Sequence, residues 1–370
     1  MAQATIAILG GAGNTGRRLA RLLARAGGYD LRLMGRNKAS VDDAAARIAA
    51  ETGATLIGVR ADSSDRAGLL AALSGADLVV SATSATRDAP TVASVALQLG
   101  IDYFDIHLSS AAKWRALRTI EPDIVRRGLQ FVSDGGFHPG LPAAMIRRLS
   151  TTVDLTHAPV YASFSVDWSR LSFGPDAADD FVDELREMDP SAFRDGRWLR
   201  SWRNARDFDF GPPQGRQQTI AMGIEELRSL PDRLPHLRDT GFYISGFGPV
   251  IDYVALPATM LATMLPPLRR FAASAFFAAL KHWTRHDEWT VLVCDGRGTR
   301  DGLPVAARLR ISHGDSYELT AIAAAACVLE MTGGERRPGL LPQGLYVDPG
   351  VFLGNLGSMG VGVEETAEPV

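Results

Sequence analysis

Lysine is nearly absent from this 370-residue chain: of its 39 Lys and Arg residues only Lys38, Lys113 and Lys281 are lysine. None has a tyrosine four residues before it, so the Tyr-x-x-x-Lys pair of a classical short-chain dehydrogenase is excluded. Cysteine is equally scarce. Cys294 and Cys327 stand alone, without a CxxC or a Cys/His set, which argues against structural disulfides and a zinc cluster. With 42 Asp and Glu the net charge is -3, so there is no basic excess to neutralise phosphates, and nucleic acid is not an expected partner. Long apolar runs are missing as well. Tyr253 to Leu268 and Phe271 to Leu280 fall short of the ~18–20 residues of a membrane span, and Pro257, Pro266 and Pro267 break the first. A buried or lid-like helical pair is expected there; docking on lipid through 253–280 is the rarer alternative. The strand pattern from Ala4 leaves no room for a signal peptide, so a cytoplasmic location is expected.

What is present begins at once. The apolar run Ala4–Leu9 ends in Gly10-Gly11-Ala12-Gly13-Asn14-Thr15-Gly16 and passes into the amphipathic stretch after Arg17: strand, glycine turn, helix. Both Gly11-x-Gly13-x-x-Gly16 and Gly10-x-x-Gly13-x-x-Gly16 fit dinucleotide spacing. One glycine lets the chain turn, one lets backbone approach a pyrophosphate, and one packs helix on sheet. The helix N-terminus, at Asn14 and Thr15, offers free N–H groups to that anion.

A second strand, Tyr29–Met34, ends in Gly35-Arg36-Asn37-Lys38, where an NAD enzyme usually carries an acid for the ribose hydroxyls. Arg36 can instead pair with a 2′-phosphate and lie on adenine, and Lys38 adds charge, so NADP(H) is favoured over NAD(H). Strands and helices then alternate to about residue 133, which implies a parallel, doubly wound α/β sheet. Its ligand lies across the carboxyl ends of the strands. Three ends are candidates: Asp62-Ser63, Ala82-Thr83-Ser84 and Asp105-Ile106-His107. Asp62 reads equally as an adenine contact or as the cap of the next helix, a role Ser64 could fill.

After Asp134 the alternation stops. Gly135–Pro142 is a turn-rich crossing into a helix begun by Pro142, and longer strand patterns follow at 159–168, 289–294 and 306–312. Asp295–Gly302 reads as a hairpin loop between the last two. Residues 171–235 read as a substrate-facing insertion or lid, with Trp168, Arg170 and Phe173 at its entrance.

The chain resembles the saccharopine dehydrogenase-like family of NADP-binding oxidoreductases nearly end to end. The resemblance is carried by Gly-Gly-Ala-Gly-Asn-Thr-Gly with Gly35-Arg36, by Val95–Asp105, by Gly136-Phe137-His138-Pro139-Gly140-Leu141-Pro142, and by His313–Ala321 with Gly333-Gly334 and Pro338-Gly339. It implies a Rossmann domain over 1–134 plus 318–370, a second α+β domain on a mixed sheet over 135–317 for substrate or dimerisation, and a homodimer. It also implies hydride transfer to or from an imine or carbonyl of a small metabolite. His107 and Leu108 stand where the family often has Gly and an acid, and 171–235 match no substrate motif.

The catalytic candidates are His107, His138 and Asp105. Either imidazole is expected to titrate near neutrality and to protonate a nascent amine or alkoxide. No metal is expected: His282-x-x-x-His286 has helical spacing but no third ligand. The absence of an obvious acid leans toward C=N reduction, because a protonated imine is already electrophilic. It also leaves open a non-enzymatic NADP sensor.

Overall fold

In the computed structural model, described for residues 4–171, 188–248, 250–265, 268–284 and 287–370, the chain divides into two compact units. The first comprises Met1–Leu141 and Tyr317–Asp348, the second Pro142–Ser316 and Pro349–Val370.

The first unit alternates as its sequence pattern demands: β1 (Ala4–Leu9), α1 (Asn14–Ala26), β2 (Tyr29–Gly35), α2 (Lys38–Thr52), β3 (Leu56–Arg60), α3 (Arg66–Ala72), β4 (Leu78–Ser81), α4 (Ala89–Leu99), β5 (Asp102–Asp105), α5 (Ala111–Arg126) and β6 (Gln130–Ser133). The parallel sheet runs Gly339–Pro342, β6, β5, β4, β1, β2, β3. Strands one to three and four to six thus run outward in opposite directions from the β1/β4 junction, the switch point where such sheets bind ligands. Register is tight at this edge. Leu9 lies beside Met34 and Ser81, Gly35 beside Arg60, and Ser81 beside Asp105, so five strands end level. Local caps set the helices between them: Asn37 accepts from Ser40 N and starts α2, and Asp65 accepts from Gly68 N and starts α3.

The seventh strand, Gly339–Pro342, has no counterpart in the sequence reading. It joins β6 because Gln130 and Asp102, at the starts of β6 and β5, gather the closing segment. Gln130 Oε1 accepts from Arg337 N and Tyr346 Oη, and Arg336 grips both Asp102 oxygens at 2.9 and 3.0 Å. The apolar helix Ser316–Gly333 supplies the buried Leu319 and Ala321 to Val328 to this unit's core.

The second unit is a mixed sheet in the order Ala205–Asp209, Arg216–Ala221, Asp239–Ser245, Asp154–Ser165, Trp289–Arg300, Leu303–His313, Gly362–Pro369. Only the contact between Asp239–Ser245 and Asp154–Ser165 is parallel along this path. Two expectations are corrected here. Residues 349–370 belong to this unit and not to the cofactor unit, because Gly362–Pro369 pairs with Leu303–His313 at eight successive positions. The hairpin loop expected at Asp295–Gly302 shrinks to Asp301-Gly302, since the strand continues to Arg300 with left-handed Asp301 and Gly302 making the turn. The lid residue Phe173 and His286 lie outside the described residues. Cys294 and Cys327 are buried free thiols, and no metal-binding group of His, Cys, Asp or Glu occurs among the described residues.

Replacing Asp65 by Ala should unwind the first turn of α3. We expect about 1 kcal/mol of lost stability in denaturant titration, with dinucleotide affinity unchanged because the carboxylate is spent on Gly68 N.

Candidate functional site

The glycine turn divides its labour. Gly10 takes φ +75 and donates to Met34 O, and a Cβ on it would lie 2.4 Å from Ala82 O, so it makes the tight turn against β4. Gly16 packs helix on turn: a Cβ there would sit 2.2 Å from Gly10 O. Gly11 faces the Leu33 side chain. Gly13, capping α1, is exposed with ordinary backbone angles, and within the protein its added Cβ would meet only Gly10 O, at 3.0 Å. Gly13 is thus the most open of the four glycines, with one tight backbone contact inside the protein and its outer side exposed. Both spacings the sequence allows have every glycine in a close-packed position.

Along the same edge Arg36, Asp62, Ser63, Ala82, Thr83 and Ser84 follow the ends of β2, β3 and β4, all at least partly exposed. Hydrogen bonds from Ser64 backbone and hydroxyl, then the charges of Arg36 and Arg60, hold the Asp62 carboxyl below its ordinary value. Asp62 is thus neither a helix cap nor replaced by Ser64 in that role; Asp65 is the cap. Ser63 donates to Asp88 at 2.7 Å. Two neighbours of Arg36 have work of their own: Asn37 caps α2, and Lys38 Nζ lies 2.6 Å from Asp42.

Under the ends of β5 and β6 lies a buried ionic network. Lys113, 2% exposed, places Nζ 3.0 Å from Asp105 Oδ1, 2.7 Å from Asp134 Oδ1 and 3.2 Å from His107 O. Asp105, at 0% exposure, also accepts from Tyr103 Oη at 2.8 Å, Ser133 Oγ at 2.6 Å and the His107 amide at 3.1 Å. Asp134, in the left-handed region at φ 59, accepts from Ser109 and from Trp114 Nε1. Burial alone would raise the Asp105 carboxyl, but Lys113 and His107 outweigh it and hold it down to about 2. Burial opposes the Lys113 charge too, yet the two carboxylates raise its pKa.

His107 projects over β4. Its Nε2 is 3.3 Å from Thr83 Oγ1 and 3.4 Å from Ser81 Oγ, and Nδ1 is 3.8 Å from Asp105. His138 stacks on Phe137 with ring centroids 4.0 Å apart.

Residues 6–125 match the family defined as the saccharopine dehydrogenase NADP binding domain. The chain matches that model over 120 of its 370 residues. Its fold is similar, over 99% of this chain and 100% of the other, to apo saccharopine dehydrogenase (L-Glu forming) from Saccharomyces cerevisiae, with TM-score 0.68 at 14% identity. A short-chain dehydrogenase from Sphingobium yanoikuyae in complex with NADPH covers only 35% of this chain and 70% of its own, with TM-score 0.28 at 20% identity. No curated protein matches in sequence.

Burial bears on all three catalytic expectations. Asp105 is enclosed and its oxygens are taken by Lys113, Tyr103, Ser133 and the His107 amide, so it braces the strand end. Burial lowers both His107 and His138 to about 4, so neither imidazole titrates near neutrality. Lys113, Asp134, Tyr103 and Ser133 escaped the sequence reading. Lys113 carried one usable signal: it is one of three lysines in an arginine-rich chain, eight residues after Asp105.

Lys113→Met leaves two carboxylates facing each other without their cation. We expect a loss of about 3–5 kcal/mol in denaturant unfolding; a change near zero would show the network to be dispensable. For His107 the depressed pKa fixes the sign. The unfolded chain takes up a proton near pH 6.5 that the native chain refuses until about pH 4, so this stability is present above pH 6.5 and lost on acidification toward 4. That amounts to about 3 kcal/mol. His107→Gln should flatten the dependence of unfolding free energy on pH across that window by about one proton, while the losses from Asp105 below pH 3.8 persist in both proteins.

Proposed function

We propose that this NADP-dependent oxidoreductase moves a hydride between NADP(H) and the C=N carbon of a small imine, a carbonyl being the runner-up substrate. The observation that carries the reading is the exposed, side-chain-free Gly13 at the head of α1, with Arg36 one strand end away. The cradle fits a dinucleotide. Backbone N–H groups at the start of α1 would take the pyrophosphate, Arg36 the 2′-phosphate, and the small residues Ala82, Thr83 and Ser84 would let the nicotinamide half lie close to β4. When bound, the nicotinamide supplies or accepts the hydride.

The chain's own groups then favour an imine. A carbonyl becomes an alkoxide and must gain a proton from the enzyme or solvent, and the His107 and His138 rings, neutral above about pH 4, do not stand ready as imidazolium donors. An iminium carries its own charge and asks only for orientation. A neutral His107, set by Thr83 and Ser81, can offer one ring N–H or accept one hydrogen bond without exchanging a proton. Lys113, through the His107 carbonyl and Asp105, holds that ring's backbone in place.

Three variants test this. Arg36→Ala should weaken NADPH on the order of ten- to a hundredfold and leave NADH unchanged; equal affinity of the parent protein for both would overturn NADP selectivity. Gly13→Ala should abolish NADPH binding with little change in unfolding temperature, whereas Gly16→Ala should lose stability. Reduction of cyclic imines by NADPH, with a rate lacking any acidic limb near pH 6.5, supports the imine reading. Turnover of ketones alone would overturn it.

A further inference from the structure

The second unit carries a helical excursion, Ile251–Ala262 followed by Arg269–Trp283, whose outward face is apolar. Its inward side is conventional. Ile251, Phe276 and Leu280 are buried, and Phe277 meets Trp168 edge-on at 6.0 Å. The outward side is largely apolar where a solvated helix would carry charge. Val250, Tyr253, Val254, Leu261, Met264 and Leu265 recur at three- and four-residue spacing and are all exposed, Tyr253 by 70% and Leu261 by 68%. Phe271, 75% exposed, and Trp283, 56% exposed, continue the pattern on the second helix. A helix apolar on every side is normally buried on every side, and a patch of this kind marks a surface with a partner.

Charge decides between partners. Between residues 250 and 284 the bases are Arg269, Arg270 and Lys281, and the only acid is Asp252. Asp252 is turned toward the chain, accepting from Phe247 N at 2.9 Å and Gly248 N at 3.0 Å. Self-association about a two-fold axis would set this base-rich segment against itself with no acid to meet it. An anionic lipid surface meets both needs, taking the apolar face into the acyl boundary and offering headgroup charge to a segment with a basic excess. No helix among the described residues is long and apolar enough to cross a membrane, so the segment would lie in the surface plane.

We propose that residues 250–283 dock this protein on an anionic lipid surface. The inference is independent of the substrate reading. The full chain is sedimented with phosphatidylcholine vesicles with and without phosphatidylserine, and NADPH affinity is measured separately. We expect pelleting with the phosphatidylserine vesicles, weaker with phosphatidylcholine alone, and at least a tenfold loss of partitioning in Leu261→Glu/Leu265→Glu and in Tyr253→Glu/Phe271→Glu. Both variants should keep the parent's melting temperature and NADPH affinity. A parent protein that stays in the supernatant with both vesicle types overturns the proposal. So does an oligomer that the same substitutions split into monomers, which would assign the face to a second copy.

Discussion

One buried cation holds the ligand-binding end of the first unit together. Lys113 reaches from α5 under two strand ends and touches Asp105, Asp134 and the carbonyl of His107. A charge this deep is costly unless every charge has a partner. Here one ammonium is shared by two carboxylates, and the remaining oxygens are occupied by Tyr103, Ser133, Ser109 and Trp114. The strand ends cannot shift independently, because any slip would leave a charge unpaired. The position of His107 over β4 is a consequence of that constraint.

The level ends of β1 to β5 turn this local rigidity into a surface. Gly10, Arg36, Asp62, Ala82 and His107 come from five loops separated in sequence, yet they follow strand residues in register across the sheet. Each loop can present one group to a long ligand, and contacts such as Thr83 with His107 fix neighbouring loops against one another. Gly10 and Gly16 are required most strictly by packing, whereas Gly13 meets one backbone oxygen inside the protein and leaves its outer side open to a ligand.

The second unit shows the opposite economy. Its sheet gains a final strand from the C-terminal tail, Gly362–Pro369, whose residues are mostly exposed. Its helical excursion exposes apolar residues that could have been polar at no cost to packing. Stability of the unit does not explain them, which is the basis of the docking proposal.

Much of the first unit was legible in the residues, since a parallel strand is a short apolar run and its helices carry a 3.6-residue period. Those signals are local, and they placed β1 to β6, the glycine turn and Arg36. The C-terminal tail was misplaced because an edge strand such as Gly362–Pro369, rich in Glu, has no alternating pattern to declare its partner. Protonation was misread for a related reason. Whether an imidazole is charged depends on what surrounds it in space, and His107 is enclosed against Ser81 and Thr83, more than twenty residues away in the chain. The sequence by itself determined the doubly wound class, the glycine turn and the basic residue at the end of β2, because each depends on neighbours within a dozen residues. The tertiary structure alone decided which of the glycines faces outward, that Asp105 braces the strand end, that both imidazoles lie in surroundings that disfavour their charge, and that Lys113 holds the His107 backbone in place, because those properties are set by burial and long-range pairing.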